Sequence, residues 1–193
     1  FIHDLKTHLR CRILELPYNE EDPKFTREDL DDVQIRNSKL YTHAKMRVNY
    51  TTYDMKREQD SINPRTRPPI MLESRGETDE HPYLYAWVLG IFHAYVRLKS
   101  ANAPFKPVEF LWVRWLDHNK RYRSGWKAKR HARIEFVPHT DRDAFGFLDT
   151  LDVLRAVHLI PAFHYGRTTD LLPPSVIRAE RENDQDWKAF YVM

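Results

Sequence analysis

The sequence predicts a mainly β domain, a small twisted barrel or sandwich with helical additions, and three observations predict it. Short runs that alternate, or that are rich in β-branched and aromatic residues, recur at close spacing from Val33 onward. Two of them, residues 83–98 and 108–116, are apolar on both faces, the pattern of strands in the middle of a sheet. Sustained helical periodicity is confined to the first 32 residues. The chain has 193 residues, 41% hydrophobic and 13% aromatic, enough for one ordinary domain with a real core. It opens on Phe1 rather than Met, the pattern of a piece of something larger.

Along the chain, Phe1, Leu5, Leu9 and Ile13 recur four apart, with Ile2 and Leu16 on the flanks. That is the stripe of an amphipathic helix over residues 1–16, with Pro17 to stop it. An acidic loop follows at 19–22. Thr26 with Asp29 three residues on predicts a short capped helix over 27–32. Residues 33–36 and 39–43 read as two short strands around a tight turn at Asn37-Ser38, and the alternating run 45–53 reads as another strand. Three prolines and many polar residues make 57–69 a loop or extended crossover. A short apolar run at 70–72 leads into a charged turn at 73–80.

Residues 83–98 carry the strongest strand signal. Strict alternation puts Tyr83, Tyr85, Trp87, Leu89, Ile91, His93 and Tyr95 on one face; Leu84, Ala86, Val88, Phe92, Ala94 and Val96 fall on the other. Gly90 sits mid-run, where a bend or bulge is expected. Residues 108–116 read as its antiparallel neighbour, with Phe110 and Trp112 facing one way and Leu111, Val113 and Trp115 the other. A basic loop is expected over 117–133, then a strand at 134–137, a loop at 141–149, one helical turn at 151–155 and a closing strand at 157–163. The tail is rich in proline and charge until 187–193 begins a new apolar segment. The organisation read from this is a helical extension over 1–32, a β domain over 33–170 and a tail over 171–193.

Several chemistries lack their signatures. One cysteine, Cys11, excludes an intrachain disulfide and a thiolate zinc cluster. Five glycines leave no room for a phosphate-cradling Gly-rich loop, and no GxSxG, P-loop or HExxH is present. The pairs His158/His164 and His131/His139 lack the helical spacing or carboxylate partner of a specific metal site. Asp141, Asp143, Asp149 and Asp152 offer paired carboxylates for a metal-dependent nuclease, a reading set beside the plainer one of solvent-facing loop acids and caps. No metal, cofactor or catalytic residue is therefore assigned. No run approaches a membrane span, and the charged start is not a signal peptide.

The charge is nearly balanced, with 31 Lys and Arg against 28 acids, so any basic contact surface must be local. It is local. Residues 120–133 read KRYRSGWKAKRHAR, in which seven of the 14 residues are Lys or Arg and none is acidic. Lys120, Arg121, Arg123, Lys127, Lys129, Arg130 and Arg133 suit phosphate contact, and the interleaved Trp126 suits stacking on bases or sugars. The plain alternative is a solvated loop. Arg97, Lys99, Arg65 and Arg67 would extend the patch if the fold brings them close. A second candidate is aromatic: rings on 83–98 meeting Trp112 or Trp115, either as core or as an open cage for a cationic side chain.

The stretches RNSKLYTHAKMRVNYTTYDMKREQDSINPRT, HPYLYAWVLGIFHAYV, VEFLWVRWL and GFLDTLDVLRAVHLIPAFHYGRTTDLLPPS resemble the C-terminal region of fungal CACTA-related, Plavaka-like transposon-encoded proteins. The resemblance covers nearly the whole chain and implies a nuclear protein whose DDE nuclease domain lies upstream of this region. YAWVLGIF, VRWL and VHLIPAF are in addition similar in order to bromo-adjacent-homology (BAH) domains, SH3-like barrels that bind histone tails or nucleosomes. By that resemblance Tyr85 and Trp115 fall on aromatic-cage positions, with Phe136 and Phe147 where the closing loop would lie. The chain departs from the pattern in its helical N-terminal extension and in lacking an acidic loop after VRWL. Together these give an expected SH3/BAH-like barrel or curled antiparallel sheet. Its expected role is a non-catalytic module binding DNA, a nucleosome or a histone tail, or another domain of the parent protein. The alternatives are an accessory part of a transposase nuclease, or an oligomerisation domain that docks through its first helix.

Overall fold

The computed structural model describes residues 1–16, 25–74, 81–101, 103–178 and 183–193, and at Trp126 the backbone alone. The acidic loop at 19–22, most of the charged turn at 73–80 and the acids at 180–182 lie outside the described residues. Strands account for 46% and helices for 18%, so the fold is mainly β: a curled antiparallel half-barrel with an N-terminal helix.

The first helix, α1 (Ile2–Ile13), buries Leu5 and Leu9 completely, as the four-residue stripe requires. It ends before Pro17 can act. Leu16 N–H donates to the Cys11 carbonyl and Glu15 N–H to that of Arg12, with Glu15 at φ 54°. This is a Schellman closure, which satisfies the last carbonyls by a left-handed residue. The second helix, α2 (Arg27–Asp32), has the expected capping box: Asp29 N–H donates to Thr26 Oγ1 at 3.2 Å and Thr26 N–H to Asp29 Oδ2 at 2.9 Å. Arg10 ties the two helices together through Asp29 at 2.8 Å and Asp32 at 3.4 Å.

β1 (Val33–Ile35) and β2 (Tyr41–His43) do not pair with each other, contrary to the hairpin expectation. Both pair with the long strand β6 (Tyr83–Leu98), end to end, Val33 opposite Leu98 and Tyr41 opposite His93. Asn37 and Ser38 adopt φ of 55° and 50°, a kink that lifts the chain out and returns it to the same edge. β3 (Met46–Thr51), a strand as expected, forms a separate hairpin with β4 (Arg57–Ile62), which lies where a loop is expected. β4 exposes its first three residues and buries only Ile62 fully, so backbone pairing rather than an apolar face makes it a strand.

β6 acts as a ruler for the sheet. On one side it carries β5 (Pro69–Glu73), β2 and β1 in succession; on the other it pairs with β7 (Lys106–His118) along nearly its whole length. β7 in turn holds β8 (Arg133–Phe136) and β9 (Phe145–Asp149) on its far side. β9 lies where a loop was expected, and its Gly146 brings the backbone close to Trp115: a Cβ there would lie 2.8 Å from the indole Nε1. In place of the helical turn expected at 151–155, a 3-10 turn at Thr150–Asp152 leads directly into β10 (Val153–Ala156), which pairs with β5. β11 (Leu159–Pro161) and a two-residue ladder of β12 (Arg167–Thr168) with β13 (Asp186–Trp187) follow. β14 (Phe190–Val192) fits between β8 and β11, so the apolar segment at the end of the chain is part of this sheet and Phe190 is buried.

The bulge expected at Gly90 is present, between Val88 and Gly90 in the pairing with β7. It reverses the alternation. Leu84, Ala86 and Val88 share their face with Ile91, while Phe92, Ala94 and Val96 join the face of Tyr85 and Trp87. The single-period assignment made from sequence is therefore correct before Gly90 and inverted after it, because an extra residue shifts every later side chain to the other side. β7 keeps its alternation, with the two faces as expected. One face of the β6–β7 pair carries a core of Ile62, Ile70, Val88, Leu111 and Val113; the other carries a core under α1 around Phe110 and one around Phe136 and Phe190.

Candidate functional site

Residues 119–132 form the tip of the β7–β8 hairpin, whose last pair is His118 opposite Ile134. Turn chemistry shapes the tip. Asn119 N–H donates to the Arg133 carbonyl at 2.9 Å, its side-chain oxygen accepts from Arg121 N–H at 3.1 Å, and Tyr122 N–H donates to the Asn119 carbonyl at 3.0 Å. A second turn is closed by Gly125 N–H on the Arg130 carbonyl at 2.8 Å, with Gly125 at φ 94° and Lys129 at φ 50°. Those positive φ values suit Gly125 and turn the chain so that its cations point outward.

Lys120, Arg121, Arg123, Lys127, Lys129 and Arg130 are all exposed. None is in a salt bridge with a carboxylate among the described residues; Arg130 lies 5.9 Å from the Tyr122 ring centroid. Acids stay at the base of the hairpin, at Asp117 and Glu135, where Glu135 accepts from Asn119 Nδ2 at 2.5 Å. The side chain of Trp126 lies outside the described residues. Arg133 is different from its six neighbours. Its side chain is 13% exposed and is sandwiched between Tyr122 at 4.3 Å and Tyr165 at 4.9 Å, donating to the Tyr165 hydroxyl. It belongs to the scaffold of the tip, a correction to its assignment as a phosphate contact. Arg97 and Lys99 do not extend the patch. They bind Gln34 at 2.8 Å and the Asp31 carbonyl at 2.6 Å, at the end of β6 opposite to the one that borders the tip.

The cage expectation is corrected as well. Tyr85 pairs with Leu116, whereas Trp115 pairs with Ala86, so the two rings project from opposite faces of the sheet. Tyr85 is buried beside Leu116 and Phe136, and burial pushes its phenol up to about 12. Trp115 packs on the other core, and Phe147 is under α1. Exposed rings do gather elsewhere: Tyr41 stacks on His93 at 4.7 Å, and His43 Nε2 lies 2.7 Å from His93 Nδ1. Sequence reasoning missed this group, because it needs β2 to pair with β6.

Two of the acids weighed for a nuclease site have structural partners. Asp141 caps the 3-10 turn at Arg142–Ala144, and Asp149 caps the next one and forms an ion pair with Arg12. Among the described residues, no group of three His, Cys, Asp or Glu is placed to hold a metal ion. The apolar stripe of α1 packs onto the protein's own strands, with Leu5 and Leu9 against Val33, Ala94 and Phe110.

A concave feature lies on the face that carries Trp87 and Arg114: a cavity of about 670 Å³, bounded by the strands and by Leu172, Ile177, Arg178 and Gln185. Sequence reasoning did not find it, since its walls come from many stretches far apart along the chain. Compared with models of known families, with curated proteins and with solved structures, the chain matches none.

Proposed function

We propose that this domain is a non-catalytic nucleic-acid-binding module that contacts phosphates through the tip of its β7–β8 hairpin. The observation that carries the reading is the set of six exposed cations on a loop shaped by its own turn bonds, with no internal carboxylate to neutralise them among the described residues. Lys and Arg on a preformed tip displace counterions from a phosphate backbone without first breaking ion pairs of their own. The resemblance to transposon-encoded proteins supports DNA as the partner and a nuclear setting. It also supports a parent protein whose nuclease chemistry lies in another domain.

The test is fluorescence anisotropy with duplex DNA across a salt series. Binding should weaken steeply with salt, with a slope of about −0.9 per phosphate contacted. The combined Lys120→Ala, Arg121→Ala, Arg123→Ala variant should flatten that slope. Binding that ignores salt, or that survives the triple variant at full strength, would sink the reading. Tight salt-sensitive binding to an acidic histone surface in the absence of DNA binding would replace it.

A further inference from the structure

The cavity beside Arg114 is flanked by a buried cluster of charges. Arg114 and Arg178 grip the same carboxylate: Asp186 accepts from Arg114 at 3.1 and 2.9 Å and from both terminal nitrogens of Arg178. All three side chains are 3–4% exposed, so the cluster carries a net charge of +1 away from water. Each guanidinium also donates to a backbone carbonyl, Arg114 to Leu171 and Arg178 to Leu172. A guanidinium has about five N–H donors, and three are engaged here, which leaves two on each group. Among those left are both Nε–H groups, which are buried and have no hydrogen-bond partner among the described residues. Buried donors without partners are costly, and a buried surplus of positive charge more so.

The surroundings fit a ligand that is part anion and part ring. Arg67 and Arg167 stand exposed among the lining residues, Arg167 over the Trp187 ring at 4.5 Å, and Asp186 is the sole carboxylate there among the described residues. Half-buried Trp87 and Trp187, with Phe136 and Phe190, supply aromatic walls. The volume of about 670 Å³ lies within the range of cavities that enclose small ligands. A carboxylate would be satisfied by one bidentate guanidinium; a cavity lined by several guanidiniums suits the three oxygens of a phosphate monoester.

We propose that this cavity binds a nucleoside monophosphate, with the phosphate toward Arg114 and Arg178 and the base against the indoles. The same chemistry is presented by a free nucleotide and by the 5′-phosphorylated end of a strand. This site is separate from the hairpin tip and does not depend on the DNA-binding reading.

The experiment titrates the whole chain with AMP, adenosine and inorganic phosphate, reading tryptophan fluorescence and calorimetry. AMP should bind at least about tenfold more tightly than either fragment, because it alone engages both halves. The exposed Arg67→Glu variant should weaken AMP by about tenfold and leave adenosine unchanged. The hairpin-tip triple variant should leave AMP binding as it was, even where DNA binding is lost. Competition by a 5′-phosphorylated oligonucleotide, but not by its 5′-hydroxyl counterpart, would identify a strand end as the ligand; competition by free nucleotide alone would identify the mononucleotide. Phosphate binding as tightly as AMP, adenosine binding as tightly as AMP, or no response at about 1 mM AMP would each overturn the proposal.

Discussion

Asp186 holds Arg114 through both carboxylate oxygens, at 3.1 and 2.9 Å, across 72 residues of sequence. Arg114 sits in the middle of β7 with its guanidinium carbon 3.9 Å from the Phe136 centroid, and Asp186 opens β13. The pair therefore fastens the last part of the chain to the central strand of the sheet.

Removing one partner of this pair leaves an uncompensated charge in a dry site. Asp186→Asn should destabilise the fold by about 3–5 kcal/mol in urea titrations. A loss below about 1 kcal/mol would show that the pair is solvated and that the cluster is weaker than its geometry implies.

His8 projects from α1 against Phe110 and Phe147, with Nε2 buried and no hydrogen-bond partner among the described residues. Burial, and then the neighbouring Arg12 charge, lower its pKa from 6.5 to about 4. Between those values the unfolded chain holds the proton more often than the folded one. Stability should fall as pH drops from about 6.5 to about 4, by about 3 kcal/mol in total. His8→Leu should remove that component, so wild type and variant should diverge within this window in thermal melts at stepped pH. Parallel curves would contradict it.

Neighbouring arginines should separate by role. Arg121→Ala changes an exposed side chain and should leave stability within about 0.5 kcal/mol while reducing the salt slope of DNA binding. Arg133→Ala removes a cation held between two tyrosines and should cost about 1–2 kcal/mol of stability. Equal thermal shifts for the two variants would mean that Arg133 is not part of the scaffold.

Gly90→Ala tests the bulge. The new Cβ would lie 2.3 Å from the Phe92 ring, which stacks on Phe110 at 5.7 Å. Displacing that ring should cost about 1–3 kcal/mol, measured by chemical denaturation. An unchanged midpoint would show that the ring relocates freely.

Local chemistry made much of the architecture legible in the sequence. The four-residue stripe of α1, the Thr26–Asp29 capping box, the extents of β6 and β7 and the bulge at Gly90 all depend on residues close together along the chain. So does the density of cations at 120–133. Short strands without an apolar period were not legible: β4 is polar and β9 has a glycine in its second position, so only pairing with a neighbour defines them.

The sequence by itself determined that this is a β-rich domain with one concentrated basic loop, because periodicity and charge density are properties of adjacent residues. Tertiary structure alone decided that β1 and β2 share one edge of β6, that Tyr85 and Trp115 face opposite ways, and that Arg133 is withdrawn between two tyrosines. It also decided that Arg114, Arg178 and Asp186 meet beside a cavity. Register and bulge position set which side chains share a face, and the closing of distant strands sets which charges meet; neither quantity is carried by any short run of residues.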